Sequence, residues 1–131
     1  MKKILLVDDD LDIYGALENI FSIFGYEIIL KEDAASALAV IREGNEFNVV
    51  VADYQVVGME GQDFLRALKK ISPAVPVIML SEYNSVETYL KSLSLGAFEY
   101  LHKPVEEKEL SRVVKAAIAW WEEMNQPVSV A

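Results

Sequence analysis

Val49-Val50-Val51-Ala52-Asp53 is an apolar, β-branched run that ends on a single carboxylate, and Tyr54-Gln55-Val56-Val57-Gly58-Met59-Glu60-Gly61 carries the chain away through a loop with two glycines. A buried strand that delivers one acid at its C-terminal tip presents that acid at a cleft. The remainder of the chain shows what else arrives there.

Working outward, short apolar runs alternate with helical patterns. Ile4–Val7 reads as a first strand, stopped by Asp8-Asp9-Asp10. Ile13, Leu17, Ile20, Phe21 and Phe24 then recur at helical spacing, and Gly25 suits the position after a helix end. Tyr26–Leu30 reads as a strand, followed by a helix capped by Asp33 and ended at Gly44. Phe47–Ala52 is the third strand. Phe64, Leu65, Leu68 and Ile71 mark a helix that stops before Pro73, and Val75–Leu80 is a fourth strand. Val86, Tyr89, Leu90 and Leu93 mark a helix ending at Gly96, Ala97–Leu101 a fifth strand, and Leu110, Val113, Val114, Ala117 and Trp121 a last helix. Five strands alternating with five helices through short links predict an α/β fold, a doubly wound parallel sheet with helices on both faces. Continuously apolar strands such as Val77-Ile78-Met79-Leu80 fit a sheet covered on both sides.

Composition narrows the function classes. The 131 residues suit one domain, read as 1–124, with 125–131 as a tail or the start of a linker. Lysine and arginine number 12 against 21 acids, a net charge of −9, which argues against direct nucleic-acid binding and against an anionic membrane surface. Without cysteine there are no disulfides and no zinc-thiolate sites. The apolar part of the N-terminus is too short for a signal-peptide core or a membrane span, so a cytoplasmic location is expected.

In an open parallel sheet the ligand site lies beyond the carboxyl ends of the strands. Asp8 and Asp9, Asp53, Ser81 and Lys103 all fall at such ends. Three carboxylates at about 4 Å, in an effective dielectric of about 20, repel by roughly 4 kcal/mol per pair. Lys103 offsets part of that. A hard divalent ion held by oxygen ligands suits the rest, which is a magnesium arrangement with Mn²⁺ as the alternative. The chemistry that fits is phosphoryl transfer, with one carboxylate as the nucleophile.

The set Val7-Asp8-Asp9, Asp53 in its glycine-closed loop, Ser81 and Lys103-Pro104 resembles the receiver domain of bacterial two-component response regulators, from about Lys3 to about Trp121. The resemblance implies a flavodoxin-like fold with strand order 2-1-3-4-5. It implies that Asp53 accepts a phosphoryl group from the phosphohistidine of a histidine kinase or phosphotransfer protein. Asp9 would bind Mg²⁺ directly and Asp8 directly or through water, with the Asp53 carboxylate and the Gln55 backbone carbonyl completing the protein ligands. Ser81 would move to the phosphoryl oxygen, Lys103 would pair with it, and Tyr100 would turn inward as Ser81 moves. Lys103-Pro104 is expected to be cis. The face of the fourth helix, fifth strand and fifth helix would then control an output domain, a separate partner or self-association.

The chain departs from the family pattern in two places. Val56-Val57 stands where the loop commonly reads Met-Pro. Glu82 follows the switch hydroxyl where a small residue is usual, and Tyr83 adds bulk beside it. Both side chains are expected to restrict access, so that the phosphorylated form is slow to arise from small donors and slow to hydrolyse. These departures sustain an alternative, a constitutive interaction module with weak or lost phosphorylation. A phosphohydrolase resembling the haloacid dehalogenase group is set aside, because Gln55 stands where that group places its acid and no cap domain is present. Other polar residues have plainer readings: Asp10 and Asp33 as helix caps, His102 as a solvent-facing strand end, Glu122-Glu123 as a solvated helix face, and Tyr89 and Trp120 as cover for apolar surface.

Overall fold

The computed structural model describes residues 2–125; the predicted tail falls, beyond Asn125, outside the described residues. Five strands, β1 (Lys3–Val7), β2 (Glu27–Lys31), β3 (Val49–Asp53), β4 (Val77–Ser81) and β5 (Glu99–His102), form one parallel sheet in the order β2-β1-β3-β4-β5. Five helices connect and follow them: α1 (Leu11–Phe21), α2 (Ala34–Arg42), α3 (Gly61–Ile71), α4 (Val86–Ser94) and α5 (Glu107–Met124). Among the described residues no helix is long and apolar enough to cross a membrane.

Alternation along the central strands sends successive side chains to opposite faces. Leu5, Val7, Val50, Ala52, Val77 and Met79 meet α2 and α3 through Leu38, Phe64, Leu65 and Leu68. Ile4, Leu6, Val49, Val51, Ile78 and Leu80 meet α1 and α5 through Leu17, Phe21, Val113 and Val114. Each fully buried aliphatic or aromatic side chain contributes about 1.5–3 kcal/mol, so both faces anchor the strands firmly. α4 is different. Its fully buried residue is Ser92, whose hydroxyl finds no partner, while Val86 and Leu90 lie exposed.

Element ends differ from the sequence reading in ways that physics explains. The first helix closes at Phe21, and Ser22–Phe24 tightens into a 3-10 turn that Gly25 ends at φ 83°. Phe47, Val75 and Ala97 are buried and apolar as strand starts should be, yet they precede the pairing ladder and close the bottom of the core. β3 and β4 in turn run one residue further than read from the pattern, so Asp53 and Ser81 are the last residues of their strands rather than the first of their loops. Asp10 and Asp33 cap α1 and α2, accepting from the N–H groups of Asp12 and Ser36. The order of strands puts the reversal of winding between β1 and β3, where a crevice opens at their carboxyl ends.

Candidate functional site

Both sides of that crevice carry acids. Asp8 follows β1 and is 1% exposed, Asp9 is exposed beside it, and Asp53 ends β3. One carboxylate oxygen from each lies within 4.8 Å of the other two. Lys103, just past β5, reaches across: its Nζ donates to Asp8 Oδ2 at 3.1 Å and lies 3.6 Å from Asp53 Oδ2. The Lys103 N–H is fixed by the Ser81 carbonyl at 2.7 Å, and the Lys103–Pro104 peptide is cis. The other oxygen of Asp8 accepts the Asp10 N–H at 3.0 Å. Asp53 Oδ1 accepts the Gln55 N–H at 3.1 Å, which folds the start of the loop around the carboxylate.

The electrostatics show crowding. Burial pushes the Asp8 carboxyl above its ordinary pKa, the hydrogen bonds from Lys103 and Asp10 pull it down, and the Asp53 charge adds to the rise. Burial pulls Lys103 down, but the hydrogen bond to Asp8 and the charges of Asp8, Asp53 and Asp10 override it and hold the ammonium firmly protonated. One cation is shared by more negative charge than it can balance. Three converging carboxylates with a residual negative potential and only oxygen donors fit a small hard divalent cation, and they fit no soft one. The converging oxygens come from the three aspartates; Gln55 is exposed and adjoins them through its N–H.

Ser81 is fully buried, and its hydroxyl accepts the Tyr83 N–H at 2.9 Å. Glu82 is exposed, its carbonyl lies 3.1 Å from His102 Nε2, and its side chain borders a groove of about 550 Å³ with Lys103 and Asp10. Tyr83 is half exposed. Tyr100, expected to turn inward as Ser81 moves, lies inward in this structure: it is 7% exposed and its hydroxyl donates to the Tyr83 carbonyl at 2.8 Å. The reason is an aromatic stack absent from the sequence reading. Tyr54, directly after Asp53, meets Tyr83 and Tyr100 edge-on at 5.8 and 6.2 Å, and Tyr89 meets Tyr100 at 6.0 Å. Gly61 leaves room for the Tyr54 ring, since a Cβ there would lie 2.7 Å from the ring Cδ2 and collide with the Tyr54 carbonyl. Tyr54, an aromatic residue directly after the acid, is the one local signal that could have pointed to this stack.

Comparison with known proteins agrees with this geometry. The family profile described as response regulator receiver domain matches residues 4–115. The transcriptional regulatory protein ZraR of Escherichia coli (strain K12) is 34% identical over 116 residues, 88% of this chain and 26% of that protein. The DNA-binding transcriptional regulator NtrC of Bradyrhizobium sp. (strain RP501 Parasponia) is 36% identical over 117 residues, 89% of this chain and 24% of that protein. This chain therefore spans about a quarter of the length of these relatives. A CheY-like receiver domain protein from Methanospirillum hungatei JF-1 superposes with a TM-score of 0.84 at 34% identity, covering 95% of this chain and 99% of that one. The beryllofluoride-activated NtrC4 receiver domain dimer gives 0.83 at 30% identity, covering 92% and 99%. With its family profile matched over residues 4–115 and relatives above 30% identity over most of its length, the chain belongs to the response regulator receiver domain family.

Proposed function

We propose that this chain is a phosphorylation-dependent signalling receiver, with Asp53 taking a phosphoryl group from the phosphohistidine of a histidine kinase or phosphotransfer protein. The observation that carries this reading is the placement of the Asp53 carboxylate at a strand tip, 3.6 Å from the Lys103 ammonium and among two further aspartates. A carboxylate oxygen of Asp53 attacks phosphorus, the P–N bond breaks, and the histidine leaves with the electron pair. Lys103 pairs with a phosphoryl oxygen and the Ser81 hydroxyl donates to another. Asp8, Asp9, Asp53 and the Gln55 carbonyl would hold Mg²⁺, or Mn²⁺ in its place; when bound, the ion neutralises charge on the phosphoryl oxygens. The chain is a signalling domain that assists only its own phosphoryl transfer and hydrolysis. It works in the cytoplasm, with residues 1–124 as the receiver domain and 125–131 as a tail or the start of a linker.

Phosphorylation adds about −1.5 to −2 charges. That charge draws Ser81 and Lys103 toward Asp53 and shifts the loop from Glu82 to Ser85. The face of α4, β5 and α5 then changes its binding, to an output domain, to a separate partner or to a second copy. The length of the relatives supports an output domain in a longer protein. One observation favours a second reading, a constitutive interaction module: Tyr100 already occupies the inward position.

Intact mass after incubation with a phosphohistidine-bearing donor domain or acetyl phosphate, each with Mg²⁺, tests the reading. Gain of one phosphoryl group by the wild type and none by Asp53→Asn supports it. No gain from either donor, with Mg²⁺ bound or not, leaves the constitutive module.

A further inference from the structure

β2 is an outer strand of the sheet, and among the described residues it pairs with β1 alone. The Glu27 N–H donates to the Lys2 carbonyl at 2.9 Å, and the Lys31 carbonyl accepts the Asp8 N–H at 3.1 Å. Backbone groups of a strand alternate between its two edges, so Glu27, Ile29 and Lys31 turn theirs to β1 while Ile28 and Leu30 turn theirs outward. The outward N–H and C=O groups form an open row, which is a template for one more strand. The side chains along that row are aliphatic. Ile28 and Leu30 lean on the half of the core under α1 and α5, Ile29 leans on the other half, and all three stay partly exposed. No proline interrupts the strand.

The order of residues in the strand says what fits beside it. Glu27-Ile28-Ile29-Leu30-Lys31 has an acid at one end, a base at the other and aliphatic residues between. Neither end is in an ion pair among the described residues. Laid antiparallel on a second copy about a two-fold axis at Ile29, Glu27 stands opposite Lys31 at both ends, Ile28 stands opposite Leu30, and Ile29 meets itself. The same register sets the outward residues opposite one another, so Ile28 and Leu30 exchange both N–H···O bonds with their counterparts. Charge and hydrogen bonding therefore select one register independently. A parallel copy in register would set Glu27 beside Glu27 and Lys31 beside Lys31, which like charge opposes. The two-fold contact uses the same strand on both sides and closes at two copies.

We propose that β2 is a self-association edge, through which two copies of this chain join antiparallel along Glu27–Lys31 into one continuous sheet. The contact forms in the unphosphorylated chain. Because β5 is the opposite edge of the sheet, the face of α4, β5 and α5 stays free in both copies. An interface built on one edge strand is small, below about 1,200 Å² in total, and each copy carries a charge of −9, so the dimer is weak, with a Kd on the order of 100 μM.

The test is sedimentation velocity on the unphosphorylated full chain, from about 10 μM to about 1 mM, a range that brackets the expected Kd. Sedimentation should rise towards the dimer with concentration. Glu27→Lys and Lys31→Glu each set like charges opposite at both ends, and each should weaken the dimer about tenfold or more. Glu27 is exposed and Lys31 partly so, and neither belongs to the core. An equal mixture of the two single variants pairs opposite charges again and should restore association to within about threefold of the wild type. In the wild type, amide exchange at Ile28 and Leu30 should slow as concentration rises, while Ile29, already bonded to β1, stays unchanged; that result needs no variant to fold. The proposal is overturned by a wild type that stays monomeric to about 1 mM, by a dimer indifferent to both single changes, by a mixture that fails to associate, or by protection gained outside β2. Failure of Asp53 to take up phosphate would remove the signalling reading and leave this one standing.

Discussion

Tyr83 offers the sharpest test of how the site is held together. The side chain is 50% exposed, so roughly half of an aromatic surface of about 150–250 Å² leaves water. At about 25 cal/mol per Å² that half contributes roughly 2–3 kcal/mol. The edge-on contact with Tyr54 at 5.8 Å adds about 0.5–1.5 kcal/mol. Tyr83→Ala removes the ring and keeps the backbone carbonyl that accepts the Tyr100 hydroxyl. Because an exposed loop relaxes and recovers part of the loss, the expected destabilisation is roughly 2–3 kcal/mol. Tyr100→Phe deletes only the hydrogen bond and should cost about 1 kcal/mol. If the Tyr83 ring holds its own carbonyl in place for Tyr100, the two changes are coupled. Tyr100→Phe should then cost at least about 0.5 kcal/mol less in the Tyr83→Ala background. Urea unfolding, followed by the fluorescence of Trp120 and Trp121, measures all four corners of this cycle. Equal costs of Tyr100→Phe in both backgrounds would refute the reasoning, and so would a Tyr83→Ala variant as stable as the wild type.

Gly61→Ala forces a methyl group into the Tyr54 ring and carbonyl, and should lower stability by about 1–3 kcal/mol in the same assay. Asp33 is held below its ordinary pKa by the Ser36 N–H and hydroxyl. Its contribution is therefore full above the unfolded value near 3.8 and is lost as pH falls through the lower folded value; urea titrations should show Asp33→Ala less stable at pH 7, with the gap closing in strong acid. Glu82→Ala removes a negative charge at the rim and should speed phosphorylation by acetyl phosphate roughly two- to fivefold, read by intact mass against time. Amide hydrogen exchange should be faster in α4 than in α3 or α5, since α4 buries the least apolar surface.

Much of this was legible because the information is local. Val49-Val50-Val51 and Val77-Ile78-Met79-Leu80 announce buried strands, and Asp10, Asp33 and Gly25 announce where helices begin and end. The approach of Lys103 to Asp8, 95 residues away, was legible only through topology, since parallel strands point all their tips the same way. Strand edges were not legible. Val75 and Ala97 are apolar and buried like strand residues, but pairing depends on the register of a neighbouring strand. Nor was the stack of Tyr54, Tyr83, Tyr89 and Tyr100, which forms from four segments with no common spacing. The inward ring of Tyr100 is a rotamer choice made by a carbonyl seventeen residues earlier.

That inward ring bears on how such a site signals. Moving a two-state element from 1:99 to 99:1 takes about 5.5 kcal/mol of differential interaction. An element that already favours one state has little further to go, so on the proposed reading phosphorylation at Asp53 would gain little from rotating Tyr100. The free energy of the new charge is then available to a different element. α4 is the candidate by its packing: Val86 and Leu90 face solvent, Ser92 is its fully buried residue, and its N-terminal loop contains Tyr83 and follows Ser81. Ser81 and Tyr83 share a hydrogen bond, so a pull on the hydroxyl is a pull on that loop. The stack ties Tyr100 to the loop through Tyr83 and to α4 through Tyr89, while the remainder of α4 is loosely held. On the proposed reading, such a chain would change its surface by shifting α4 about its single aromatic tether at Tyr89, with the size of the response set by how weakly the rest of α4 is packed rather than by the Tyr100 rotamer.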